Sequence, residues 1–403
     1  MKVDTMRQVD YYAGVPLCFV FTLFFKLTGL FSSWCRCEPK RVLFVELSEM
    51  GSAIIVDPAM RKMRDTGAEL YFVIFKKNAP SLRLLGTVPE ENVFHIEEDG
   101  LIPLALSSLR FLFWTRRNRI DTVIDLELFS RYSALLTGLS GANNRIGYHA
   151  FHNEGLYRGD LLTHKVAYNA HMHIAKNFVA LINATLSEKV ETPYSKTLIG
   201  DEEIQLAKLS LSEEELEQMR ARLREDFADY DAAKHRIVLI NPNASELLIQ
   251  RRWMPERYAE LMRRILADYD DVLVLITGAP GEREEAEALK GEVGHERCVN
   301  FAGRVKFSEL PSLYTISTLM VSNDSGPGHF SAVTAMPSYV IFGPETPALY
   351  GSLGDSTPIY AGLACSPCVS ASNHRKTPCH DNVCLQVITV DQVFDTIKPR
   401  LDG

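Results

Sequence analysis

The residues best suited to chemistry lie in one stretch: Asn323, Asp324, Ser325 and Gly326, followed by Gly328 and His329. A carboxylate, a hydroxyl and glycines directly after an apolar run make a good phosphate cradle. Glycine lets the backbone approach an anion, and the N–H groups at a helix start can donate to it. A second polar turn follows at Phe342, Gly343 and Pro344. The elements that must position these residues are a strand ending near Asn323, a helix carrying the small residues Ala332 and Ala335, and a strand at 340–342. Loops at the carboxyl ends of neighbouring parallel strands form a crevice, and a nucleotide is the ligand such a crevice suits.

At 403 residues, 46% apolar and 23% charged, the chain has the composition of a globular protein and room for two domains. A net charge of -8 supplies no basic footprint, so no nucleic-acid partner is expected. Eight cysteines in a chain this long do not make a small secreted disulfide scaffold, and a cytosolic setting is favoured.

Residues 14–34 form the most apolar run, interrupted by Lys26 and carrying Gly14, Pro16 and Gly29. Asp4 and Asp10 precede it and no small-residue cleavage site follows, which disfavours a signal peptide. Three placements suit the run: a helix lying in a membrane interface, an N-terminal helix buried on its own domain, and a single span. The interfacial helix is preferred, because Lys2, Arg7, Lys26, Arg36, Lys40 and Arg41 can meet lipid head groups.

From Arg41 the pattern becomes a buried strand, a turn at Ser48, Glu49, Met50, Gly51 and Ser52, and an amphipathic helix. Strands at 69–75, 92–95 and 122–126 alternate with helical or basic segments such as 101–119, which predicts a parallel sheet with crossover helices. Residues 145–173 hold five of the eleven histidines. His171 and His173 are two apart, so on a helix they point in different directions and do not make a metal pair. Residues 202–234 are charged and helix-prone. A second strand-turn-helix start at 235–245 echoes the first. Helices at 255–268, 308–317 and 390–401 and a strand at 272–277 follow.

Four motifs then occur in order: Leu47 to Gly51; Asn241 to Ser245 with Arg251, Arg252, Trp253 and Pro255; Gly278 with Glu282; and Asn323 to Gly326 with His329 and Phe342 to Pro344. Through these the chain resembles the bacterial heptosyltransferases of glycosyltransferase family nine, over residues 41–395. The resemblance implies a GT-B fold, in which two Rossmann-like domains face each other across a cleft; the N-terminal apolar membrane-associated helix lies outside it and is expected from composition alone. The expected division is a membrane-associated segment at 1–40, an acceptor-binding domain at 41–200, a charged connector at 201–234, a donor-binding domain at 235–388, and a C-terminal helix at 389–403 crossing back to the first domain.

It also implies an inverting transferase that moves a heptose or related sugar from a nucleotide-diphosphate donor, ADP-heptose above all. The acceptor is a lipopolysaccharide core or other lipid-linked glycan, and the place is the cytoplasmic face of the inner membrane. Neither cofactor nor metal is expected. The donor would be held by Ser245, Arg252, Glu282, Ser325, Gly326 and His329. Asp324 and Arg251 are assigned to catalysis, Arg251 holding the family's basic position, where a fixed cation stabilises the leaving diphosphate. Glu282 suits the ribose hydroxyls.

Inverting transfer needs a base for the acceptor hydroxyl. Family members often carry Asp directly after the glycine of the first loop, where this chain has Ser52, and serine has no useful basicity at neutral pH. Glu49 is therefore the leading base, ahead of Asp57, Asp125 and Glu127. The same departure supports an alternative: a catalytically inactive nucleotide-sugar-binding homologue with an assembly role. An NAD-dependent enzyme is disfavoured because neither half shows Gly-x-Gly-x-x-Gly after its first strand. Cys365, Cys368, Cys379 and Cys384 suit a structural role near the donor site, with zinc or disulfides as alternatives.

Overall fold

In the computed structural model the chain forms two compact units, one built from Met1–Gln205 and the other from Leu206–Ser370 with the C-terminal residues to Gly403. The structure describes residues 3–29, 37–128, 130–152, 155–244, 246–370, 373 and 376–403. Lys2, Arg36, Ser245 and His374 lie outside the described residues.

The first unit carries β1 (Arg41–Val45), β2 (Glu69–Phe75), β3 (Val93–Ile96), β4 (Thr122–Asp125), β5 (Asn144–Tyr148) and β6 (His164–Val166). All pair in parallel, in the order β3-β2-β1-β4-β5-β6. Its helices are α1 (Val3–Tyr12), α2 (Gly14–Gly29), α3 (Met50–Ile55), α4 (Asp57–Arg64), α5 (Leu101–Arg117), α6 (Arg131–Leu139) and α7 (Ile174–Leu186).

The second unit carries β7 (Arg236–Asn241), β8 (Val272–Ile276), β9 (Cys298–Asn300), β10 (Leu319–Asn323), β11 (Ser338–Phe342) and β12 (Ser356–Tyr360), parallel and in the order β12-β11-β10-β7-β8-β9. Its helices are α8 (Glu213–Asp226), α9 (Pro255–Asp268), α10 (Arg283–Val293), α11 (Leu310–Thr315), α12 (Gly326–Phe330), α13 (Pro347–Tyr350), α14 (Val383–Gln386) and α15 (Val390–Asp402). Counted from each unit's own first strand, both sheets read 3-2-1-4-5-6, the Rossmann order. Each therefore reverses direction between its first and fourth strands, where ligands bind in such sheets.

The strands form where the sequence is apolar without alternation, because helices cover both faces of a parallel sheet. Val42, Leu43, Phe44 and Val45 are wholly buried, as are Val272 to Ile276. The helix α9 shows the matching helical period: Tyr258, Ala259, Leu261, Met262, Ile265 and Leu266 are buried, and Pro255 sits in its first turn, where the missing N–H costs nothing. Each buried Leu or Ile in that stripe contributes about 1.5–3 kcal/mol.

Five elements differ from expectation. The strands β5 and β6 occupy the histidine-rich stretch, and β12 extends the second sheet. The helix after the phosphate-cradle turn is short, five residues of α12 followed by a 3-10 turn at Ser331–Val333. The C-terminal helix α15 packs on α9 within the second unit rather than crossing back. Its Val393, Phe394, Ile397 and Leu401 stripe is buried in that unit's core, and the Arg264 guanidinium lies 4.0 Å from the Phe394 ring centre.

The N-terminal helices are fastened to the first unit. Asp10 caps α6 by accepting from the backbone N–H of Arg131 and Tyr132 at 2.8 and 2.9 Å, and pairs with the Arg131 guanidinium at 3.0 Å. One face of α2 is packed: Cys18 joins Leu135 and Leu161, and Thr22 accepts from the backbone N–H of Asp160 at 2.8 Å. The opposite face exposes Leu17, Val20, Phe24 and Leu27. By length and composition Thr5–Gly29 is long and apolar enough to cross a membrane.

Candidate functional site

In the second unit the chemistry gathers at the carboxyl ends of β7 and β10, the neighbouring strands at the reversal point. Asn323, the last residue of β10, ties the two ends together. Its side-chain oxygen accepts from Trp253 N–H at 2.9 Å and the Tyr258 hydroxyl at 3.0 Å, and its amide donates to the Pro242 carbonyl at 2.7 Å. These bonds fix the loop that carries Arg251. The Arg251 guanidinium lies 3.8 Å from Asp324, and the two side chains are 14% and 4% exposed. Among the described residues, two buried donors here, Arg251 Nε and Asn243 Nδ2, find no acceptor. Buried donors of this kind ordinarily have partners, and leaving one bare costs about 1–3 kcal/mol. An anionic ligand seated at the strand ends would supply the missing acceptors.

The other donor-side residues divide. Gly278 closes the same corner: a Cβ there would lie 2.8 Å from Glu282 Oε2 and 3.3 Å from Asn243 Nδ2, so a side chain would fill the space between them. Glu282 spends Oε2 on the Ala279 N–H at 2.6 Å, which fixes the turn after β8. Ser325 precedes α12, and its hydroxyl donates to the Asn323 carbonyl at 3.2 Å. With Gly326 opening a helix of only five residues, the macrodipole there is weak, and the side-chain donors carry more of any anion binding than the helix start does. His329 is half-buried on the same short helix. Arg252, expected at the donor, is instead drawn to the loop: its guanidinium donates to the Ala244 carbonyl at 2.9 Å and stands 3.7 Å from Glu285.

The first unit places carboxylates at its own reversal point, between β1 and β4. Glu127 is buried and accepts through one oxygen from Leu47 N–H at 3.0 Å, Ser48 N–H at 3.2 Å and the Ser48 hydroxyl at 3.0 Å. Burial, with Asp125 and Glu49 nearby, pushes the Glu127 carboxyl above its usual range, against the pull of these hydrogen bonds. Asp125 is also buried and raised, chiefly by desolvation. It accepts from Glu127 N–H and Ser133 and is paired with Arg158. Asp57 is wholly buried, bound to Arg61 at 2.8 Å and to the Thr87 hydroxyl. Three of the four candidate bases are thus enclosed in structural roles. Glu49 precedes α3, is half-buried, and receives the Ser52 hydroxyl on Oε2 at 3.2 Å.

The model of glycosyltransferase family 9 (heptosyltransferase) matches residues 112–377 of the 403. The chain belongs to this family. Lipooligosaccharide heptosyltransferase 2 of Haemophilus influenzae is 31% identical over 111 residues, which is 27% of this chain and 32% of that protein. The matched stretches of the first three curated relatives span 32% to 51% of their lengths. ADP-heptose lps heptosyltransferase II of E. coli superposes with a TM-score of 0.67 at 19% identity, covering 90% of this chain and 98% of that one. E. coli heptosyltransferase WaaC with ADP gives 0.60 at 18%, covering 89% and 99%. These structures share the GT-B fold. The family match begins after α1 and α2, which lie outside it.

Of the four C-terminal cysteines, Cys365 is exposed, Cys368 and Cys379 are half-buried and Cys384 is buried, all as free thiols. Among the described residues no three His, Cys, Asp or Glu side chains gather as a metal site. The organising roles of Asn323, Asn243 and Arg158 are not in the sequence reading. A clue for Asn323 is an amide side chain ending an apolar strand, where it can pair with a neighbouring loop.

Proposed function

We propose that the protein is an inverting, metal-independent glycosyltransferase that moves a heptose or related sugar from ADP-heptose to a lipopolysaccharide core or other lipid-linked acceptor. The observation that carries this reading is the pair of buried donors without acceptors, Arg251 Nε and Asn243 Nδ2, beside Asp324 at the reversal point of the second sheet. A nucleoside diphosphate has the charge and the acceptor oxygens to satisfy them. A fold relative described with ADP is consistent with that ligand. The exposed apolar face of α2 supports a place on the membrane surface, and a cytoplasmic nucleotide sugar would put it on the inner membrane's cytoplasmic side.

In this mechanism the acceptor hydroxyl attacks the anomeric carbon opposite the leaving diphosphate, and the configuration inverts. Glu49 takes the hydroxyl proton, being the least enclosed of the four carboxylates, with Ser52 orienting it. Arg251 stabilises the charge that builds on the departing ADP, and Asp324 holds the guanidinium in place. The test incubates the protein with a panel of nucleotide sugars and measures saturable binding, then release of nucleoside diphosphate when lipid A core acceptors are added. Failure of every nucleotide sugar to bind would sink the reading. Ser52 in place of the family's usual Asp supports a second reading, a binding homologue without turnover, which predicts binding with no diphosphate release. Glu49→Gln should lower turnover about 100-fold or more with donor affinity intact. Unchanged turnover would remove Glu49 from the role.

A further inference from the structure

A cavity of 540 Å³ opens in the first unit between α2 and the segment after β5. It has two kinds of wall. Phe19 and Leu23 form one, and they are 54% and 47% exposed, so that wall runs outward into the apolar face of α2. Lys26, Arg158, Asp125, Asp160, His149 and His152 are among the polar residues that line the rest. Arg158 is spent on Asp125 and on the carbonyls of Glu127 and Ser130. Lys26 is different: it is 66% exposed and stands 3.7 Å from Asp160, whose carboxylate is already held at 2.6 Å by Lys165. Among the described residues, Asp160 is thus one carboxylate shared by two ammonium groups at the mouth of the cavity.

The apolar wall is rigidly joined to the polar one. Gly159 has φ +74°, and a Cβ there would lie 2.7 Å from Thr22 Oγ1 and 2.8 Å from the Cys18 carbonyl, so helix and loop meet backbone to backbone. Asp160 N–H donates to Thr22, and the Arg145 guanidinium lies 5.3 Å from the Phe25 ring centre. A pocket with one wall apolar and running outward, and a lysine at its polar mouth that shares its carboxylate, fits an amphiphile with an anionic head.

We propose that this cavity binds a phosphate-bearing lipid from the bilayer, its head against Lys26 and its chains along Phe19, Leu23 and the exposed face of α2. On the function proposed above, it is the port through which a lipid-linked acceptor enters the first unit. Asp125 lines the cavity and accepts from Glu127 N–H, and Glu127 holds the β1 loop that leads to Glu49. The helix is thus both membrane contact and substrate wall, and it lies outside the region the family model matches.

The experiment titrates the full chain with dioctanoyl phosphatidic acid, dioctanoylglycerol and inorganic phosphate by calorimetry. Saturable binding of the first alone is expected. Equal binding of inorganic phosphate would reduce the site to a plain anion site, equal binding of dioctanoylglycerol would reduce it to an apolar face, and no binding of any would remove it; each overturns the proposal. Lys26→Glu and Leu23→Asp should each weaken the lipid phosphate about tenfold, with Lys26→Arg close to wild type. Both side chains are substantially exposed, so thermal melting should hold, and ADP affinity should be unchanged. Wild-type lipid affinity in both variants overturns the proposal. If the chain binds the lipid phosphate but no nucleotide sugar, the transferase reading fails and the cavity stands.

Discussion

Replacing Glu127 by Gln and by Ala should separate what its hydrogen bonds do from what its charge does. Alanine removes the acceptor that serves Leu47 N–H, Ser48 N–H and the Ser48 hydroxyl. Ser48 is exposed and water can replace its partner, whereas Leu47 is 1% exposed and its N–H would stay bare. That single orphan costs about 1–3 kcal/mol, and the small void left by the side chain brings the total to about 2–4 kcal/mol. Glutamine keeps an acceptor oxygen and removes the ionisable group. The folded-state pKa of Glu127 is raised, so the folded chain holds a proton that the unfolded chain has released. The contribution is fully present below the unfolded pKa, about 4.3, and is lost as pH rises through the folded pKa, at about 1.4 kcal/mol per pH unit inside that window.

Wild type should therefore lose stability relative to Glu127→Gln as pH climbs from 4 toward neutrality, and Gln should be at least as stable at neutral pH. Urea titrations across this range, read by hydrogen exchange of peptides spanning β1 and β4, report the first unit separately from the second. Parallel pH curves for wild type and Gln, or a loss in Gln equal to that in Ala, would refute the reasoning.

Two further substitutions test the same geometry elsewhere. Arg251→Ala should cut turnover about 100- to 1,000-fold, as losing a preorganised charge donor does, while Arg252→Ala, whose guanidinium is tied to Ala244 and Glu285, should cut it far less; steady-state diphosphate release compares them, and equal losses would contradict the distinction. Asp10→Ala removes the acceptor of two N–H groups at the start of α6 and the carboxylate paired with the buried Arg131 guanidinium, which keeps the Tyr157 carbonyl, so the first unit should lose about 3 kcal/mol in denaturant titrations, and Asp10→Asn, which can still accept from the N–H groups, should lose less.

Much of the second unit is legible in sequence because its strands are buried on both faces and read as continuous apolar runs, and because Pro255 marks a helix start. The strand β5 is not, since a wholly buried strand here carries Asn144 and Arg145. Arg145 is tolerable inside because it donates to the carbonyls of Leu161 and Ala142 at 2.7 and 2.8 Å, and Asn144 because it bonds Cys37 and Thr122. Tertiary partners of that kind leave no local pattern. The same holds at the site: residue types mark Arg251, Asp324 and Glu282, yet nothing in their spacing distinguishes Arg251 from Arg252. The Asn323 side chain does so, by fixing where the loop between β7 and α9 runs.

The two units use one backbone plan for opposite electrostatics. At the reversal point of the first sheet stand Glu46, Glu49, Asp125 and Glu127, all but Glu49 buried, and at that of the second stand Asn241, Asn243, Arg251 and Asp324. Carboxylates crowded at a strand end raise one another's proton affinity, as burial with Asp125 and Glu49 nearby does for Glu127. Amide and guanidinium donors gathered at a strand end do the reverse, stabilising negative charge as it forms. Glycosyl transfer from a nucleotide diphosphate asks for both at once, a proton taken from the acceptor and a charge accepted on the leaving group. A fold that repeats one sheet can meet both demands by changing only the side chains at equivalent strand ends. At the first of these strand ends Ser52 donates its hydroxyl to Glu49 Oε2 at 3.2 Å, so the residue that stands where the family often has Asp adds a donor to the carboxylate cluster rather than a further like charge.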